Sequence, residues 1–127
     1  AFKPNTDDIR EAPALVIIEE MLKRGAKVQA FDPEAIWQVK QYTDLEIKYT
    51  ENEYQALEGA DALCVITEWN EFRQPDFDKI KSMLREPVVF DGRNIYDLEL
   101  MRERGFYYNS IGRGVVSAFR RNNVEQK

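Results

Sequence analysis

The chain has 127 residues, of which 43% are hydrophobic, 12% aromatic and 32% charged, with a net charge of −5. That length suits one compact domain with a core of its own. The acidic balance argues against nucleic acid as a main partner, because a phosphate backbone is held by an excess of Lys and Arg. It leaves room for one small anion gripped by a few placed cations. No segment is apolar for long enough to span a bilayer, and none has the form of a signal peptide. Cys64 is the single cysteine and histidine is absent, which removes an internal disulfide, paired zinc spacing and the Ser-His or Cys-His nucleophile pairs. A cytoplasmic location is expected. The first residue is Ala1, so the chain is expected to begin inside a longer protein.

Apolar runs alternate with amphipathic stretches along the chain, the pattern of an α/β domain. Residues 1–3 read as the tail of a strand. A helix is expected over 13–24, opened by Pro13 and stopped by Gly25, with Leu15, Ile18 and Leu22 on one face. A short strand over 27–31 ends at Asp32-Pro33. Residues 35–41 read as helical, 44–49 as a weak strand and 52–57 as a short helix stopped by Gly59. The unbroken apolar run 62–66 predicts a strand buried on both faces, with Cys64 a buried, inert thiol. A helix over 76–84, a strand over 87–90 closed by Asp91-Gly92, a helix over 97–104 stopped by Gly105 and a strand over 106–109 complete the series. The division is a domain over 1–113 and a polar tail over 114–127, the tail expected to fray. Parallel strands joined by helices bring their carboxyl ends to one edge, where ligands bind in open sheets. The positions that follow strands are Lys3, Asp32, Thr67 to Trp69 and Arg93.

Three segments carry candidate chemistry. The first, Ala1 to Arg10, leaves a strand and enters a helix without a glycine fingerprint. Lys3 and Arg10 flank Asp7 and Asp8, which would repel a phosphate set directly on the helix end. The cations then meet phosphate while the carboxylates cap the helix and orient the cations; the competing reading is a solvated, acidic helix start. In the second, Gly92 permits a sharp turn after a buried strand and Arg93 projects at the ligand edge, where its planar fork suits phosphate. The alternative is an ordinary turn bearing a solvated arginine. In the third, Thr67 to Phe72, the functional reading is a loop shaping the same edge, and the preferred one has Thr67 capping a short helical turn while Trp69 and Phe72 pack against neighbours. Asp32 stands where a dinucleotide fold keeps its ribose-binding carboxylate, but without the glycine turn it reads as a strand-ending residue.

The segments AFKPNTDDIREAP (1–13), GA.V..FDP (25–33), GADALCVITEWNEF (59–72), FDGRNIYD (90–97) and GFYYNSIGR (105–113) resemble, in order, the C-terminal domain of the UDP-glucose and GDP-mannose dehydrogenase family. The TEWNEF stretch resembles the UDP-glucose branch; the GDP-mannose and UDP-N-acetylmannosamine branches are the alternatives. The resemblance implies a Rossmann-like fold: an open, mostly parallel sheet with helices on both faces, here without its first strand, which should be central. It implies an NAD-dependent, two-step oxidation of the sugar C6 alcohol of UDP-glucose to UDP-glucuronate through a thioester on a cysteine. That cysteine, the NAD fingerprint and the assisting lysine and aspartate belong to parts of the family pattern outside this chain, and Cys64 is not the equivalent cysteine. Phe2, Lys3 and Arg93 correspond to contacts with the nucleotide-sugar, and Arg10 to an arginine that reaches NAD across the domain cleft. The implied partners are the rest of the dehydrogenase chain and further copies in a homo-oligomer. No catalytic or metal-binding residue is expected in this segment, which alone would be inactive. Two other classes compete. A signalling receiver needs a lysine after the late strand, where Arg93 stands. A structural lid would never touch ligand.

Overall fold

The computed structural model describes residues 13–111, 113 and 115–117. The first helix, α1 (Pro13–Lys23), opens on its proline and ends at Gly25, which has φ 90°. Gly25 N donates to the Leu22 carbonyl and Ala26 N to the Met21 carbonyl, the paired bonds that close a helix on a left-handed glycine. Next come β1 (Val28–Ala30), α2 (Ile36–Tyr42) and β2 (Ile47–Tyr49). The helix expected over 52–57 is reduced to a 3-10 turn at Gln55–Leu57. β3 (Leu63–Val65) is followed by a second 3-10 turn, Asn70–Phe72, and by α3 (Phe77–Met83), β4 (Val88–Asp91), α4 (Leu98–Glu103) and β5 (Tyr107–Ser110). Asp76 and Asp97 cap α3 and α4, each carboxylate accepting from the amide three residues on. β6 (Val116–Ser117), in the segment expected to fray, runs antiparallel beside β5.

The architecture is the expected open, mainly parallel α/β arrangement, and it falls into two sheets. β1 and β2 pair in parallel, Gln29 opposite Lys48. The second sheet has the order β3-β4-β5-β6, with β3, β4 and β5 parallel and Cys64, Phe90 and Asn109 in register. One face of this sheet meets α3 and α4 in the main core: Val65, Val89 and Tyr108 pack with Phe77, Ile80, Met101 and Phe106. On the other face Cys64 and Phe90 line a cleft of about 800 Å³, whose walls also include Leu15, Ile18 and Met21 of α1 and the β1 strand.

That cleft separates the two sheets. Among the described residues β1 has only β2 as a strand partner and β3 has only β4, so the facing edges of two parallel ladders are unpaired across an apolar gap. Side chains bridge the gap in place of a backbone ladder. Gln29 Nε2 donates to the carbonyls of Ala56 at 2.9 Å and Glu58 at 3.2 Å, and Trp69 Nε1 donates to Asp32 Oδ2 at 3.4 Å. α1 lies over the gap with no residue fully buried, and Val16 is 69% exposed. The strand expected to be buried on both faces is therefore covered on one. Cys64 is exposed, a correction to the buried thiol expected from its apolar neighbours. Solvent reaches it through the cleft, while the protein around it still desolvates the thiol and pushes its pKa up, which disfavours the reactive thiolate. No helix among the described residues is long and apolar enough to cross a membrane.

Parallel strands draw stability from cover on both faces and pairing at both edges. Among the described residues two strand edges are open and α1 is half covered, so the chain is expected to be weakly stable. Its thermal unfolding, followed by circular dichroism, is expected below ~60 °C, at or under the upper end of the mesophile range; a cooperative melt above that temperature contradicts this reading.

Candidate functional site: the carboxyl edge of the sheets

The carboxyl ends of β1, β3, β4 and β5 lie along one edge and are laced together by hydrogen bonds. After β4, Gly92 N donates to the Val65 carbonyl at 2.8 Å and Arg93 Nε to the Ile66 carbonyl at 2.7 Å. Asn94 Nδ2 donates to the Ile111 carbonyl beyond β5 at 2.9 Å. The role expected of Gly92 is changed by the geometry. The left-handed residue of the turn is Asn94, with φ 58°, a conformation that asparagine tolerates better than most residues. Gly92 is needed for close approach: a Cβ there would stand 3.3 Å from the Val65 carbonyl oxygen.

Asp91 organises this turn from below. It is 2% exposed, and each carboxylate oxygen is occupied. Oδ1 accepts from Arg93 N at 2.8 Å; Oδ2 accepts from Ile95 N at 2.8 Å, Tyr96 N at 3.2 Å and the Tyr108 hydroxyl at 2.6 Å. The Tyr108 oxygen in turn accepts from Arg113 Nη2 at 2.7 Å. Arg113 also donates from Nη2 to the Tyr96 carbonyl at 3.0 Å and from Nε to Ser110 Oγ at 2.9 Å. A buried negative charge is thus matched to a guanidinium through one phenol, with donors to both carboxylate oxygens. Burial, and then the hydrogen bond to Asp91, push the Tyr108 phenol up to about 12. Burial pushes the Tyr96 phenol up as well.

Of the residues singled out from sequence, Arg93 is on this edge, its side chain lying against the end of β3. Phe2, Lys3 and Arg10, with Asp7 and Asp8, lie outside the described residues, so the meeting of Lys3 with Arg93 stays a proposal. Asp32 lies in the turn that follows β1, as expected for a strand-ending residue: Oδ1 accepts from Glu34 N and Ala35 N and Oδ2 from Trp69. Trp69 is buried against Ala35, and Phe72 packs edge-on against Phe31. The capping expected of Thr67 is corrected, since Trp69 holds the N-cap position of the 3-10 turn, without a side-chain bond. Asp91, Tyr108 and Arg113 went unnoticed as a unit. An aspartate directly before a glycine at a strand end is a local signal for a carboxylate that folds back on the next amides, but its partners on β5 and beyond are set only by strand register.

Tyr108→Phe removes one donor from Asp91 and one acceptor from Arg113, with an expected loss of about 2 kcal/mol of stability. The pH dependence has a definite sign. A phenol whose folded pKa lies above its ordinary 10.0 contributes stability that is present below pH 10 and lost as the pH rises through about 12. Between those values the melting temperature of the unsubstituted protein should fall more steeply than that of Tyr108→Phe. Parallel slopes contradict the assignment.

Comparison with known proteins agrees with this fold. Over 89% of its length the chain is 48% identical to a UDP-glucose 6-dehydrogenase of Pseudomonas aeruginosa, covering 26% of that protein. It is 43% identical over 91% to UDP-glucose 6-dehydrogenase TuaD of Bacillus subtilis, covering 25%. The chain therefore spans about a quarter of the length of these relatives. Among solved structures, an NDP-N-acetyl-D-galactosaminuronic acid dehydrogenase from Methanosarcina mazei superposes with a TM-score of 0.75 at 30% identity, over 89% of this chain and 23% of that one. A UDP-glucose dehydrogenase from Pyrobaculum islandicum gives 0.69 at 30% identity, over 92% and 24%. The family model for the UDP binding domain matches residues 1–98, which displaces the receiver reading: the chain belongs to the UDP-glucose/GDP-mannose dehydrogenase family, as its UDP binding domain.

Proposed function

We propose that this domain holds the diphosphate end of UDP-glucose within an NAD-dependent UDP-glucose 6-dehydrogenase, and contributes no reacting group of its own. The observation that supports it is the placement of Arg93. A guanidinium stands at the carboxyl edge of a parallel sheet, on a turn fixed by a buried carboxylate, where open α/β sheets take their ligands. Lys3 is the second cation of the grip and Phe2 packs on the nucleotide-sugar beside it. The guanidinium fork pairs with phosphate oxygens, and the lysine acts as a point charge. The UDP-glucose branch is favoured by UDP-glucose 6-dehydrogenases that are 48% and 43% identical to this chain.

In the same reading NAD would supply the oxidising chemistry of the whole enzyme at the sugar C6 carbon. The described residues do not form its cradle. β1 is followed by Phe31-Asp32-Pro33 rather than a glycine turn, and Asp32 is committed to Glu34, Ala35 and Trp69. This domain's share is a single reach across the domain cleft by Arg10. The complete protein is read as a cytoplasmic homo-oligomer, in which this domain covers the UDP end of the substrate while residues elsewhere in the chain carry out the oxidation.

Charge reversal at Lys3 or Arg93 in the complete dehydrogenase should raise the KM for UDP-glucose by about tenfold or more, equivalent to one lost charged contact, with a smaller change in kcat. A domain that serves only as a lid predicts an unchanged KM. The isolated chain should bind UDP weakly and show no turnover; a UDP titration followed by amide shifts should move signals near Arg93, and silence there contradicts the proposal.

A further inference from the structure

We infer that Asp91 is the positioning residue for Arg93, and that Arg113 supplies its counter-charge through Tyr108. This rests on the reading of Arg93 as a phosphate ligand and adds what presets it. Arg93 is held at both ends before any ligand arrives: its backbone N–H by Asp91 Oδ1 at 2.8 Å, and its side-chain Nε–H by the Ile66 carbonyl at 2.7 Å. The same carboxylate, through Oδ2, holds the amides of Ile95 and Tyr96 beyond the left-handed Asn94. One side chain therefore fixes the backbone on both sides of Arg93. A long arginine loses much rotamer freedom on binding an anion, and a turn that fixes it beforehand reduces that loss.

The arrangement also explains how a carboxylate is tolerated beneath a proposed phosphate site. An uncompensated charge there would repel the ligand and be costly to bury. Here the negative charge faces backbone amides and the Tyr108 hydroxyl, and the Arg113 guanidinium lies on the far side of that hydroxyl. The Asp91 charge is thus spent inside the fold, on the backbone amides and the Tyr108 hydroxyl.

The test is a double-mutant cycle in the complete dehydrogenase, reading the ratio of UDP to uridine affinity by calorimetry. Uridine lacks the phosphates, so the ratio isolates the anion grip from general damage to the fold. Asp91→Asn should lower the ratio by about tenfold, and should lower it no further when Arg93 is already alanine. Tyr108→Phe, which leaves the carboxylate and its backbone donors in place, should lower it less and with the same dependence on Arg93. It serves if Asp91→Asn does not fold. An equal loss for UDP and uridine, or an equal fall in the ratio with and without Arg93, overturns the positioning role. If Arg93→Ala itself leaves the ratio unchanged, the phosphate reading fails first and the inference with it.

Discussion

The carboxyl edge of this domain depends on one buried carboxylate. Asp91 ends β4 at 2% exposure with four donors on its two oxygens. Removing water from a carboxylate is expensive unless hydrogen bonds and an opposite charge replace it. The fold supplies three backbone amides, a phenol from β5 and a guanidinium just past β5. Because those groups come from both strands, satisfying Asp91 also fixes how the end of β4 meets the end of β5. Gly92, pressed against the Val65 carbonyl, and Arg93, bonded to the Ile66 carbonyl, extend the same constraint to β3. A three-strand edge is thereby rigid where a ligand would be gripped.

The other half of the molecule is loose by comparison. β1 and β2 form a separate small sheet, joined to the larger one across an apolar cleft by the side chains of Gln29 and Trp69. The Trp69 contact is long at 3.4 Å and correspondingly weak. α1 lies over this cleft without a fully buried residue. The contrast divides the domain into a firm edge at β3, β4 and β5 and a region whose strand edges and helix face are unfinished among the described residues.

Much of the fold was legible in the sequence where local chemistry decides it. Gly25 and Gly105 stop α1 and α4 with positive φ, the helices expected over 76–84 and 97–104 are α3 and α4, and the apolar run at 62–66 contains β3. Local pattern failed where long-range packing decides. Cys64 sits in an apolar run that signals burial, yet its face of the sheet meets the cleft. The 52–57 segment has helical composition, yet tertiary contacts such as Gln29 with the Ala56 and Glu58 carbonyls go with a single 3-10 turn. For the candidate site, Arg93 was visible because it follows a strand and a glycine. Its supports were not. Asp91, Tyr108 and Arg113 are separated by 17 and 5 positions along the chain, and only the β4-β5 register brings them into one network.

The central claim is that Arg93 is already fixed at the sheet edge and meets the diphosphate from there. Its side-chain N–H resonance in the complete enzyme reports both halves of that claim. The account predicts an Nε–H protected from exchange before ligand is added, as its bond to the Ile66 carbonyl requires, and a shift of that signal with UDP but not with uridine. A rapidly exchanging Nε–H that ignores UDP would contradict it.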